Sequence, residues 1–183
     1  MGKIKPPPSV KYFAGVLVSD EKLLVKVRQF LKELVGEIIL ESRLIPFNFT
    51  HYYREEMGEK ILRKFYLFEN LEDPGKLATL KIRTNEIEKE FYGEMGFKRP
   101  VNIDPGYIES SKVILASTKN FFHRIYIGNG IFAEVTIHWR KGKWNSFEWT
   151  YPDYRTPEYH EFFTEARKIY LQELKSEKKD FHS

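Results

Sequence analysis

Val10-Lys-Tyr-Phe-Ala-Gly-Val-Leu-Val-Ser-Asp20 decides the fold, because an apolar run ends there on a helix cap. Val10 to Val18 reads as a short strand. Ser19 and Asp20 supply capping oxygens, and Glu21 falls in the first turn, where a negative charge suits the helix dipole. Leu23, Leu24, Val27, Phe30, Leu31 and Leu34 then recur at helical spacing until Gly36 stops the helix. Further out, Glu37 to Leu44 returns as a strand, Pro46 to Gly58 is a polar-aromatic loop, and Leu62 to Phe68 is another strand. Asp73 caps a second helix with Pro74 in its first position, and Leu77, Leu80, Thr84, Ile87 and Phe91 form the buried stripe. Val101 to Ile103 is a short strand.

This order, β-α-β-β-α-β, is the split arrangement of ferredoxin-like folds. The chain extends that core by a helix over about Ser110 to Ser117, a β-hairpin, and a C-terminal helix started by Thr156 and Pro157. Phe162, Phe163, Ala166, Ile169, Tyr170 and Leu174 form the apolar face of the last helix. The expected class is therefore α+β, in a single domain over residues 1–183. Residues 1–9 form an extended, basic, proline-rich arm, and 176–183 form a charged tail that frays.

In the hairpin, Ile125 and Ile127, then Ile131, Ala133, Val135, Ile137 and Trp139, alternate with polar or amphipathic residues. A three-residue loop, Gly128-Asn129-Gly130, keeps both apolar sets on one face, with Gly130 in the left-handed position. Arg124 then faces Glu134, and Tyr126 faces Phe132. The polar face of Arg124, Glu134, Thr136 and His138 is either solvent or the floor of a site.

Composition narrows the function classes. At 42% hydrophobic and 31% charged, the 183 residues belong to a globular protein that buries roughly 70% of its unfolded surface. The absence of cysteine excludes disulfides, thiol nucleophiles and thiolate metal sites, and it fits a cytoplasmic location. No apolar run approaches the ~20 residues of a membrane span. Two glutamines among many Lys and Glu residues resemble thermophile usage. The net charge of +4 is interleaved with acid except at the arm and at Arg140-Lys-Gly-Lys143, between Trp139 and Trp144. That tip reads as gatekeeping charge on a sheet edge, or else as a contact to RNA with Trp144 and tyrosines stacking on bases.

Three polar segments carry the candidate chemistry. Asp104-Pro-Gly-Tyr107 fits a type II turn, with Asp104 bonding local amides or acting as a general base at a strand's end. Tyr151-Pro-Asp-Tyr-Arg-Thr-Pro157 is dense in turn formers; Asp153 and Arg155 either pair locally or let Arg155 clamp a carboxylate or phosphate. Phe47 to Arg54 offers His51 and Tyr53 as a lid or wall. His123 shares the parity of the apolar set, which favours a buried, hydrogen-bonded role. Glu134 and His138 lie roughly 13 Å apart on a strand and do not share a metal. With no His-Glu-x-x-His, calcium loop or phosphate loop in the chain, neither metal nor cofactor is expected.

These segments converge on one expectation, a cleft for a small polar anion. Arg124 and Arg155 would hold the anion, with Asp153, His51 and Tyr53 around it. Asp104 or Glu134 would be the base, and His138 would exchange a proton near neutral pH in a hydrolase-like reaction. An RNA-binding or ribosome-associated module and a scaffold that oligomerises through aromatic surface are the competing readings.

Pro46-Phe-Asn-Phe-Thr-His-Tyr-Tyr53, Glu56-Met-Gly58, Asn102-Ile-Asp-Pro-Gly-Tyr107, Ala116-Ser-Thr-Lys119, His123-Arg-Ile-Tyr-Ile-Gly128, Ala133-Glu-Val-Thr136 and Trp149-Thr-Tyr-Pro-Asp-Tyr-Arg155 together resemble a bacterial family, domain of unknown function 4416. The resemblance runs from about Pro8 to Leu174. It implies no particular activity. Some members carry an automatic GTP-binding label, which is not extended to this chain because it lacks the phosphate loop.

Overall fold

Strand β1 (Val10–Val18) is buried along its whole length, on both faces, and the sheet is built around it. The computed structural model describes residues 2–50 and 53–180. In chain order the further strands are β2 (Ile38–Glu41), β3 (Ile45–Pro46), β4 (Leu62–Glu72), β5 (Val101–Ile108), β6 (Lys112–Ser117), β7 (Ile125–Gly128), β8 (Ile131–Arg140) and β9 (Lys143–Ser146). The helices are α1 (Leu23–Val35), α2 (Arg54–Met57), α3 (Leu77–Lys89) and α4 (Pro157–Asp180). The nine strands form one sheet in the order β2-β4-β1-β5-β6-β8-β7, with β3 added beside β4 and β9 beside β8. Every pairing is antiparallel.

The period of two in β1 explains its unbroken apolar run. Tyr12, Ala14 and Val16 face one layer, where Leu23, Val27 and Leu31 of α1 and Leu77 and Ala78 of α3 close the core. Phe13 faces the other, where Tyr159, Phe162 and Phe163 of α4 pack on it and on Phe65. The expected caps sit one turn early: Asp20 Oδ1 accepts from the Lys22 amide at 2.8 Å in the turn that leads into α1, and Asp73 Oδ1 from the Gly75 amide at 2.8 Å in the 3-10 turn before α3, while the helices themselves start on Lys22 and Lys76 without a side-chain cap.

Three local expectations are corrected. The segment expected as a helix over Ser110 to Ser117 is strand β6, paired with β5 and β8 and buried from Val113 to Ala116. A short, wholly buried apolar run carries no period that separates helix from strand. Asp104-Pro-Gly-Tyr107 is not a turn but part of β5. Gly106 is required there for close packing, since a Cβ would sit 2.2 Å from the Ile114 carbonyl oxygen and 2.6 Å from Phe13 Cζ. The β7–β8 loop has two residues, not three: Gly128 pairs with Ile131, and Asn129 and Gly130 take φ of 55° and 76°. An irregularity between Tyr126 and Gly128 absorbs the extra residue, so Tyr126 still faces Phe132. Helix α4 extends to Asp180.

The β5–β6 ladder is short, and this positions the site. It ends at Gly106–Leu115, although β5 continues back to Val101 beside β1 and β6 continues to Ser117 beside β8. Pro105 stands at the parting point and has no amide hydrogen to offer the next rung.

Candidate functional site: a charged cavity where the sheet opens

Beyond Pro105 the two strands form the lips of a cavity of about 760 Å³, with Asn102 and Asp104 on one lip and Ala116 and Ser117 on the other. Phe47, Tyr53, Phe121 and Tyr151 add aromatic wall. Since the opening lies between layers, groups from both faces of the sheet reach it.

At its base lies Arg63 of β4, 3% exposed. It shares the inward parity of Phe65 and Leu67. Its Nε donates to the Tyr159 hydroxyl at 3.1 Å, and its Nη2 lies 3.5 Å from Asp153 Oδ2. Nη1 is 3.6 Å from Asp104 Oδ2 and makes no hydrogen bond among the described residues. Burial pushes the Asp153 carboxyl upward, and the Arg63 charge only partly opposes this. Burial likewise raises the Tyr53, Tyr154 and Tyr159 phenols, which keeps all three neutral.

From the opposite layer, Lys81 of α3 reaches through the opening. Its Nζ donates to the Ile103 carbonyl at 2.8 Å and lies 3.4 Å from Asp104 Oδ1. Glu88, two turns on, accepts from the Ile103 amide at 2.7 Å; its carboxyl is raised by burial more than Lys81 lowers it. Asn102 Nδ2 donates to Asp104 Oδ2 at 2.8 Å while Asn102 Oδ1 accepts from Arg99 at 2.8 Å. Asp104 thus stands at the centre, braced by Lys81, Asn102 and Arg63.

The far lip is locked by a second ion pair. Arg124 Nε donates to Glu134 Oε2 at 2.7 Å, Nη1 to Ser117 Oγ and the Lys119 carbonyl at 2.9 and 2.8 Å, and Nη2 to the Tyr151 hydroxyl at 2.6 Å. Four of the five guanidinium N–H groups are therefore committed. The same Glu134 oxygen lies 3.0 Å from His123 Nε2, whose ring stacks on Trp149. His123 is thereby hydrogen-bonded, and it is half-buried rather than buried.

Of the residues singled out in the sequence, Tyr53, Asp104, Arg124, Glu134 and Asp153 all line the cavity. His138 and Arg155 do not. His138 packs on the Phe147 ring at 4.8 Å. Arg155 is bound to the carbonyls of Thr150 (2.9 Å), Phe147 (3.3 Å) and Glu148 (3.0 Å), so it fastens a turn and does not pair with Asp153. His51 lies outside the described residues. Trp144, offered as a base-stacking surface, is core, buried against Phe163 and Trp139. The sequence reading passed over Arg63, Lys81 and Glu88. Their signal was position: each is a charge at the inward parity or stripe of its own element.

The cavity walls carry six basic side chains (Arg63, Lys81, Lys89, Arg99, Lys119, Arg124) against four acidic ones (Glu88, Asp104, Glu134, Asp153), which makes the lining cationic. Among the described residues no group of three or more His, Asp or Glu is placed to hold a metal ion. No helix among them is long and apolar enough to cross a membrane.

The fold and this cavity define an α+β protein with a cationic, aromatic-walled cleft in an antiparallel sheet. The chain belongs to the family described as Domain of unknown function (DUF4416), whose model matches residues 8–170. No curated protein and no solved structure matches it.

Proposed function

We propose that the cavity binds a small anionic molecule with a planar or apolar portion. The observation that carries this is Arg63, a fully buried guanidinium at the cavity base whose Nη1 has no hydrogen bond among the described residues. A buried charge is retained only where it is compensated; Asp153 and Asp104 compensate this one loosely, at 3.5 and 3.6 Å, and a small shift of the side chain would turn Nη1 to an anion as its acceptor. The cationic excess of the lining favours the same sign of ligand, and Phe47, Tyr53 and Phe121 offer faces for its apolar part.

In a hydrolase-like reaction at this site, Asp153 is the carboxyl suited to deliver a proton, because burial raises it. Asp104, hydrogen-bonded by Lys81 and Asn102 and 3.6 Å from the Arg63 guanidinium, is suited to orient a water or a ligand hydroxyl. Glu134 is occupied by Arg124 and His123 and serves to fix the lip. The scaffold under the site is read as a ferredoxin-like core: the strands β5-β1-β4-β2 are adjacent in that order and antiparallel, with α1 and α3 sharing one face.

Thermal unfolding of the full chain with inorganic phosphate, dicarboxylates and sugar phosphates tests the binding reading. An anion at about 100 times its dissociation constant adds about 2.7 kcal/mol. Asn85→Trp fills the cavity from α3 without touching the ion pairs and should abolish the shift. No shift with any anion, or one that survives in Asn85→Trp, refutes the proposal.

A further inference from the structure

The sheet has four strands with an outer edge, and three of them carry a device against edge-to-edge pairing. β2 ends in Glu41 with Glu37 just before it, β3 contains Pro46, and β9 starts with Lys143 beside Arg140 and Lys141. Charge and proline are the ordinary guards of an exposed strand edge. β7 has neither. Its sequence is Ile125-Tyr-Ile-Gly128, it ends the sheet order, and its three large side chains are all exposed: Ile125 by 73%, Tyr126 by 60% and Ile127 by 38%. The segment leading into it adds Phe121 and Phe122, exposed by 54% and 84%. The charge nearest the strand, Arg124, is turned inward onto Glu134 and Tyr151.

From this unguarded edge we infer that β7 is a dimerisation edge, occupied by β7 of a second copy of this chain in antiparallel pairing. Two features select a second copy over a different partner. An isologous interface brings two copies of one patch together, residue i against j and j against i, so any net charge on the patch would repel itself, and the segment from Phe121 to Gly128 presents none outward. The area is also sufficient. With large aromatic side chains contributing 150–250 Å² each, the five exposed side chains present roughly 600 Å² per copy. Two copies would then bury about 1,200 Å², the lower bound for a stable specific interface. A central β7–β7 rung would continue one sheet through both protomers and satisfy the unpaired backbone groups of the edge. The Phe121 ring, which also lines the cavity mouth, would lie at the junction, so each protomer would border the other's opening.

Sedimentation velocity of the full chain across a concentration series tests this directly. The expected result is a species of twice the 21.9 kDa chain mass that dissociates on dilution. Ile125→Lys places like charges across the two-fold and should give a monomer with unchanged far-UV circular dichroism. Phe122→Asp, outside the strand and so independent of hairpin folding, should do the same. Amide exchange at residues 125–127 should slow several-fold at concentrations where the dimer forms. A wild-type monomer at the highest soluble concentration overturns the inference and leaves the edge to a strand of another protein. A dimer that persists in both variants overturns it equally, by placing the interface elsewhere.

Discussion

Arg63 on β4 reaches Asp104 on β5 across the intervening strand β1, at the point where β1 carries no side chain, Gly15. Gly15 pairs with Phe65 on one side and with Asp104 on the other, and a Cβ there would lie 2.9 Å from Phe65 Cε1 and 3.0 Å from Arg63 Nη1. The glycine is needed for this approach, not for a turn. Gly15→Ala should therefore cost about 1–3 kcal/mol by overpacking a buried site. Denaturant unfolding measures it, and a variant as stable as wild type would show that Arg63 has room to move.

Removing Arg63 itself should be costlier. Arg63→Met keeps the volume but leaves Asp153 and Asp104 without their shared cation, and truncating one partner of a buried pair typically costs about 3–5 kcal/mol. Arg63→Lys should recover little, since one ammonium cannot reach Tyr159, Asp153 and Asp104 at once. A double-mutant cycle with Asp153→Asn separates the pairing from the loss of packing; additivity within a few tenths of a kcal/mol would mean the pair is not coupled.

Much of the fold was legible because local chemistry and burial agree. The β1-to-α1 junction is marked by Asp20, whose carboxylate closes the turn that leads into α1, and the α4 face is written in Phe162, Phe163 and Ala166. Legibility failed where one residue type serves two purposes. Pro105 and Gly106 are turn formers by composition, yet here one ends a ladder and the other admits the Ile114 carbonyl and the Phe13 ring. Val113 to Ala116 lacked a period because it is covered on both sides. At the site, Asp104, Arg124, Glu134, Tyr53 and Asp153 were found through their loops and strand parity, and the structure gathers them at one cavity. Arg63, Lys81 and Glu88 were missed because charges inside apolar stripes look like helix or strand surface until the opposite layer is known.

The Arg155 side chain offers a contrast with Arg63. All its hydrogen bonds go to carbonyls of the turn at residues 147–150, and it lies outside the cavity. Arg155→Ala should lower the melting temperature by a few degrees, in keeping with about 1 kcal/mol from lost hydrogen bonds in a domain of this size. The anion-induced thermal shift should be retained in full. Loss of that shift in Arg155→Ala would assign Arg155 the ligand-holding role instead.

Glu88 gives the site a pH signature whose sign follows from its environment. Burial raises its carboxyl above the ordinary glutamate value despite Lys81, so between the unfolded value of about 4.3 and its higher folded value the native state holds the extra proton. The slope of stability with pH follows protons bound unfolded minus native, which is negative in that window. Glu88 therefore contributes stability that is fully present below the unfolded pKa and is lost as pH rises through the folded one. Asp153, also raised, acts in the same direction, whereas Glu41 and Glu109, lowered by their basic and hydroxyl partners, contribute stability lost on acidification. Glu88→Gln keeps an oxygen for the Ile103 amide and removes the titration. Denaturant unfolding at several pH values from 4 to 8 should show the variant gaining on wild type as pH rises through this window, and two parallel profiles would mean that Glu88 does not titrate there.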